Sequence, residues 1–303
     1  MPKSRWIAAG VFAWTLALGV LAADAPKGPE VTPEEFEAKL GYQTGAIHLP
    51  DGLATIQLPE SFRFIGPEGS RRLLVKAWGN PSAAADKVLG MLIPAGTSPL
   101  TPQGWGIVIT FEGDGYVNDS DAAGIDYAKM LKEMQAGTLA ANEERKKAGF
   151  EPITLVGWAE PPSYDAAAHK LYWAKELAFG DNPEHTLNYD IRILGRRGVL
   201  VLNAVSGIDQ IESIRGEVRN LLPAIEFNQG HRYRDYLPGK DKAAAYGIVG
   251  LIAGATAAKA GFFKLLWVGI LAFKKLILVG IVALGAFFKR LFGRKSDPVK
   301  PST

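Results

Sequence analysis

A chain of 303 residues that is 48% hydrophobic is long enough for one sizeable globular core plus apolar segments at its ends. Its 34 basic and 31 acidic residues leave a net charge of only +3, too balanced for a nucleic-acid binder, so no nucleic acid is expected as a partner. The absence of cysteine excludes disulfides, thiolate metal sites and a Cys nucleophile together.

At the N-terminus Lys3 and Arg5 precede an apolar stretch from Trp6 to Ala23, with Val20 and Ala22 at the spacing a signal peptidase reads. This predicts a signal peptide over residues 1–22; cleavage after Ala25 and an uncleaved anchor helix are the alternatives. In each case the chain beyond is exported. Residues 23–40 then form a linker and a short helix, started by Thr32, Pro33, Glu34 and Glu35: a hydroxyl cap, Pro at the first helical position and acids near the positive end of the dipole.

Residues 41–230 read as one α+β domain. Gly45 to Leu49 and Ala54 to Leu58 flank Pro50-Asp51-Gly52 and propose a hairpin, with Phe62 to Ile65 continuing its sheet. Gly66 to Trp78 has helical spacing; Val88 to Ile93 and Gly104 to Phe111 read as strands. A long helix is expected from about Ser120 to Ala148, with Asp119, Ser120 and Asp121 at its start and Gly137 as a point of division. Ile153 to Trp158 and His169 to Phe179 are further strands, and Glu160 to Asp165 is a rigid Pro-Pro turn displaying Tyr164.

The clearest alternation lies between His185 and Leu194, where Leu187, Tyr189, Ile191 and Ile193 interleave with polar residues. Gly195-Arg196-Arg197-Gly198 turns it into Val199 to Ser206, apolar on both faces and therefore central. Ile208, Ile211, Ile214, Val218 and Leu221 mark a closing helix ended by Pro223. Strands joined by short turns imply an antiparallel sheet with packed helices.

The chain ends in an apolar run from Ala243 to Phe288, far longer than the ~20 residues that cross a bilayer. A membrane region over 243–290 is expected, with residues 231–242 as a juxtamembrane linker and 291–303 as a basic disordered tail. Two helical segments fit its hydropathy; Lys274 and Lys275, at the middle of the second, leave the number of full crossings open. Gly247, Gly250 and Gly254 are placed to let two membrane helices approach closely, which makes a homo-oligomer conceivable. Arg232, Tyr233, Arg234, Tyr236 and Tyr246 suit the headgroup layer, where Tyr rings anchor and Arg meets phosphate; an ordinary polar linker has much the same composition.

Chemistry is faint by comparison. Asp114, Asp119 and Asp121, with Glu112 and Asn118, form the densest oxygen-ligand cluster, but the spacing is not that of an EF-hand, and acids at a helix start are ordinary capping. No two of His48, His169, His185 and His231 have metal-ligand spacing, and there is no nucleophile elbow, Walker loop or dinucleotide fingerprint. No cofactor is therefore expected, and whether the chain is an enzyme stays open.

The strings LPDGLATIQLPESFRFI, WGNP, VLGMLIP, GDGYVNDSDAAGIDYAKMLKEMQ, HTLNYDIRILGRRGVLVLNAV and FNQGHRYRDY resemble a family of bacterial membrane-anchored proteins defined as a domain of unknown function, over roughly residues 40 to 295. The resemblance implies an exported domain tethered by a C-terminal membrane region, and assigns no catalytic residue. The strand order ending in a hairpin and a helix is also similar to PsbP-like domains, a likeness of fold alone. The expected function is a binding or envelope-interaction module at the bacterial inner membrane, its main domain periplasmic, with the lipid bilayer and an envelope or membrane protein as partners. The alternatives are a hydrolase or transferase with dispersed site residues and a structural subunit of a membrane complex.

Overall fold

The computed structural model describes residues 32–254 apart from Pro81, Pro102 and Ala148. The signal-like segment, the apolar sequence from residue 255 and the basic tail lie outside the described residues. Helix α1 (Pro33–Ala38) starts as its sequence requires: Thr32 Oγ1 accepts from the Glu35 N–H while the Glu35 carboxylate accepts from the Thr32 N–H. Strands β1 (Tyr42–Gln43), β2 (Ala46–His48), β3 (Ala54–Gln57) and β4 (Phe62–Ile65) follow, with β2 and β3 forming the expected hairpin over Pro50–Gly52. Next come α2 (Pro67–Arg71), which continues as a π-helical turn to Ala77, then β5 (Val88–Pro94), β6 (Ile107–Glu112) and β7 (Tyr116–Asn118). After α3 (Tyr127–Lys147) the chain makes β8 (Ile153–Asp165), β9 (Lys170–Phe179), β10 (Thr186–Leu194) and β11 (Val199–Gly207). Helix α4 (Ile211–Leu221), β12 (Ile225–Phe227), β13 (Ala243–Gly247) and α5 (Ile248–Ala253) complete it.

Eight strands form one antiparallel sheet in the order β1-β4-β5-β6-β11-β10-β9-β8. Strand β11 is interior, as its two-sided apolarity demands: Leu200 and Leu202 face one core while Val199 and Val201 face the other. The first core is closed by Ile214, Val218 and Leu221 of α4 and by a second sheet, β12-β3-β2. Strand β4 is not part of that second sheet; it pairs with β1 and β5 in the large one. The second core lies beneath α3, β7, β13 and α5, and a third packs α2 and the π turn onto Ile65, Met91 and Ile93.

Helix α3 begins later than its acidic approach suggests. Asp126 caps it by accepting from the Lys129 N–H, so Asp119, Ser120 and Asp121 are free for other work, and Gly137 does not interrupt it. Its inner face closes the edge of the large sheet. Asn142 exchanges two hydrogen bonds with the Ile153 main chain, at 2.9 and 2.8 Å. Gln135 donates to the carbonyls of Leu155 and Val156, and Arg145 donates to that of Glu151. Side chains thus take the place of a ninth strand, which is how an exposed edge is kept from pairing with another chain. Pro161 and Pro162 lie within β8 rather than in a turn. They are tolerated there because β8 is an edge strand and its pairing to β9 shifts register between Glu160 and Ser163.

The largest departure from the sequence reading is at the C-terminus of the body. Residues 243–247, expected to begin a membrane helix, form β13 parallel to β7, and Ile248, Leu251 and Ile252 of α5 are buried in the second core. Apolarity alone does not distinguish a core segment from a membrane one, and here the tertiary partner decided. Nor are residues 231–242 a free linker: Arg196 in the β10–β11 turn forks onto Asp241 at 2.6 and 3.0 Å, and Gly195 bridges to Arg232. The folded body therefore extends to Gly254. Among the described residues no helix is long and apolar enough to cross a membrane.

Candidate functional site

The loop singled out for its acids comes to lie beside the β8–β9 corner and the strap that follows β12. Its three aspartates do not converge. Asp114 accepts from the Tyr246 hydroxyl at 2.8 Å, Asp121 caps α5 through the N–H groups of Ile248 and Val249, and Asp119 accepts from the Tyr164 hydroxyl at 2.6 Å. Among the described residues no three His, Asp or Glu side chains gather as a metal-ligand set. Each carboxylate is engaged by a different element.

Asp119 is the one with a chemical neighbourhood. His169 Nδ1 lies 3.4 Å from its Oδ2 and 3.2 Å from the Tyr164 hydroxyl. Because Tyr164 gives its proton to Asp119, both atoms facing Nδ1 are acceptors. This network assigns the imidazole proton to Nδ1 and leaves Nε2 as the ring's open position. Burial works to raise the Asp119 carboxyl, but the hydrogen bond from the Tyr164 hydroxyl and the proximity of His169 outweigh it and hold the group below the usual range. Burial, then the bond to Asp119, pushes the Tyr164 hydroxyl up, so it stays a donor across the physiological range.

His169 reaches this position at a conformational cost. Its φ is +52°, in the left-handed region that β-carbon-bearing residues seldom occupy. The corner is built around that angle: Asp165 accepts from the N–H groups of Ala167 and Ala168, and the His169 carbonyl accepts from Leu194. Glycine would take the same φ without strain. The histidine side chain is instead held by a column of rings, His169 on Tyr233 at 3.9 Å, Tyr233 on Tyr116 at 4.4 Å and Tyr116 on Tyr236 at 3.9 Å. The Tyr233 hydroxyl donates to the Val117 carbonyl from within the body.

The residues assigned from sequence to the headgroup layer therefore have other tasks. Tyr233 is buried, Tyr236 ends the ring column, Tyr246 is bonded to Asp114, and the Arg232 N–H is fixed by Asp235. Of that group Arg234 alone is exposed. The glycines do not form a helix-packing face either: Gly247 closes β13 against the Asp121 carboxylate, and Gly254, at φ +92°, terminates α5 four residues after Gly250. His169 and Tyr116 were missed in the sequence, since a histidine after three alanines carries no signal of its own; only the corner angle and the ring partners single it out.

A second polar group lies on the sheet itself. Asp190, fully buried on β10, takes Lys175 at 3.3 Å, Arg192 at 3.0 Å and Asn203 at 3.0 Å, and Arg192 lies 5.1 Å over the Trp173 ring. Burial would raise its carboxyl, and the two cations reverse that, so the net shift is downward. With Lys175 supplied by β9, Asn203 by β11 and Arg192 by β10 itself, this cluster ties together three neighbouring strands of the sheet.

Over residues 41–285 the chain matches the family described as Protein of unknown function (DUF2167). It belongs to that family. Among solved structures it is similar to cyanobacterial PsbP (CyanoP) from Synechocystis sp. PCC 6803, with 9% identity, 69% of this chain and 100% of that chain covered, and a TM-score of 0.34. It is also similar to LpqN of Mycobacterium tuberculosis, described as involved in cell envelope biogenesis, with 16% identity, 66% and 99% coverage and a TM-score of 0.30. No curated protein matches the chain.

Proposed function

We propose that this DUF2167 member is an exported binding module of the bacterial envelope, held at the inner membrane by the apolar sequence 255–288. The observation that carries this reading is the way the C-terminus is built: β13 and α5 are integral to the body, and from residue 255 the sequence continues largely apolar for some thirty residues, without an acid and broken only by Lys259, Lys264, Lys274 and Lys275. The ring column and the His169 corner form its recognition surface, because backbone strain retained at an otherwise ordinary hairpin corner is a mark of use.

The chain has no cysteine, so a single one at Leu139, which is 72% exposed on α3, reports location cleanly. In intact cells Leu139→Cys should react with a membrane-impermeant maleimide, and the labelled chain should sediment with membranes. Labelling only after lysis, or a full-length chain that stays soluble without detergent, would remove the proposal.

The Asp119–His169 pair favours a second reading, a hydrolase or transferase in which Nε2 acts as general base. In that case His169→Gln would abolish turnover of an envelope-derived ester or glycan substrate without changing its binding.

A further inference from the structure

We infer that the strip running along β13, from Leu237 and Lys240 to Val249, rests directly on an anionic phospholipid surface; this builds on the tether proposed above. The first support is spacer length. Ile248, Leu251 and Ile252 are seated in the second core, and α5 ends at Gly254. If residue 255 opens a membrane segment, no flexible linker separates the body from the headgroups, and whatever surface surrounds that exit must meet them.

The second support is what that surface carries. Leu237 and Val249 are 44% and 42% exposed, two of the few large apolar side chains left open on the body. Leu237 lies at the start of the ribbon, where its N–H donates to Asp241, and Val249 lies just beyond the end of β13. Between them Ala243 and Ala245 face outward and leave the strip flat. Lys240 and Lys242 flank Asp241 in the chain and are exposed, and the Asp241 charge itself is taken up by Arg196, with the exposed Arg197 at 3.7 Å. These three exposed cations stand against the exposed Glu112 and Asp114, the latter already engaged by Tyr246, and against Asp121, whose carboxylate is taken up by the N–H groups of Ile248 and Val249. Shallow apolar contacts ringed by Lys and Arg suit an interface of anionic headgroups, at roughly fivefold in partitioning per basic residue near the surface.

The full chain in lipid nanodiscs tests this. Acetylation of Lys240 and Lys242 is measured against Lys129, an exposed lysine on α3, in detergent, in phosphatidylcholine discs and in discs with roughly a third phosphatidylglycerol. The expected result is about fivefold slower modification of Lys240 and Lys242 in the anionic discs, with Lys129 unchanged. In parallel, Val249→Cys and Leu237→Cys chains should react more slowly with a soluble maleimide in the same discs. Equal rates in discs and detergent, with the chain incorporated, would overturn the docking while leaving the tether intact. Failure to incorporate at all would instead remove the tether. Protection that persists in detergent and grows with protein concentration would assign the strip to a second copy and also overturn the inference.

Discussion

Asp121 accepts hydrogen bonds from the main-chain N–H groups of Ile248 at 2.9 Å and Val249 at 3.1 Å, so an acid near the middle of the chain caps a helix at the far end of the body. Through this pair the docking of α5 is tied to the loop that also carries Asp119. The last described helical turn and the candidate site thus share one supporting loop.

Removing the cap should loosen that turn first. Asp121→Ala is expected to cost about 1–2 kcal/mol, read by denaturant unfolding, and to speed amide exchange at residues 248–253 before the rest of the body. A β-carbon at Gly247 would fall 2.5–2.7 Å from the same carboxylate. Gly247→Ala should therefore destabilise wild type, yet cost little more once Asp121 is already Ala; simple additivity would show that the two do not act through one contact.

At the corner, strain and contact oppose each other. His169→Ala keeps the left-handed angle and loses the ring contact, so it should destabilise by about 2 kcal/mol. His169→Gly loses the same contact but relieves the angle, and should fall within about 1 kcal/mol of wild type. Equal losses for the two would mean that the +52° φ stores no strain.

Asp190→Asn leaves Lys175 and Arg192 facing each other on the sheet without a counter-charge and should cost about 3 kcal/mol. The sign with pH follows from the depressed carboxyl. A group held below its ordinary value of 3.8 stabilises the fold above that value, and the stabilisation fades as pH falls through the folded-state value. Wild type should thus lose stability on the acid side, below about pH 4, and the Asp190→Asn chain should show a shallower acid limb in the same thermal scans.

Asn142→Leu removes both side-chain bonds to the Ile153 main chain and opens the β8 edge. A loss of about 2 kcal/mol is expected, together with concentration-dependent light scattering that the wild-type chain lacks.

The sequence by itself determined the elements whose signals are local. Thr32 and Glu35 specify their capping box, Pro50-Asp51-Gly52 its turn, and the alternation of Leu187, Tyr189, Ile191 and Ile193 places one face of β10 against a core. Family membership was also legible, because strings of residues rather than contacts carry it. Tertiary structure alone decided the fate of segments whose composition suits two environments. Ala243 to Ala253 is as apolar as a membrane helix, but the open edge of β7 and the waiting cap at Asp121 turned it into a strand and a buried turn. Tyr233 and Tyr236 have rings that suit a headgroup layer equally well, and Tyr116 and His169 took them instead. The physical reason is common to both cases: burial of apolar surface is non-directional, so a sequence states how much must be hidden and the fold chooses against what.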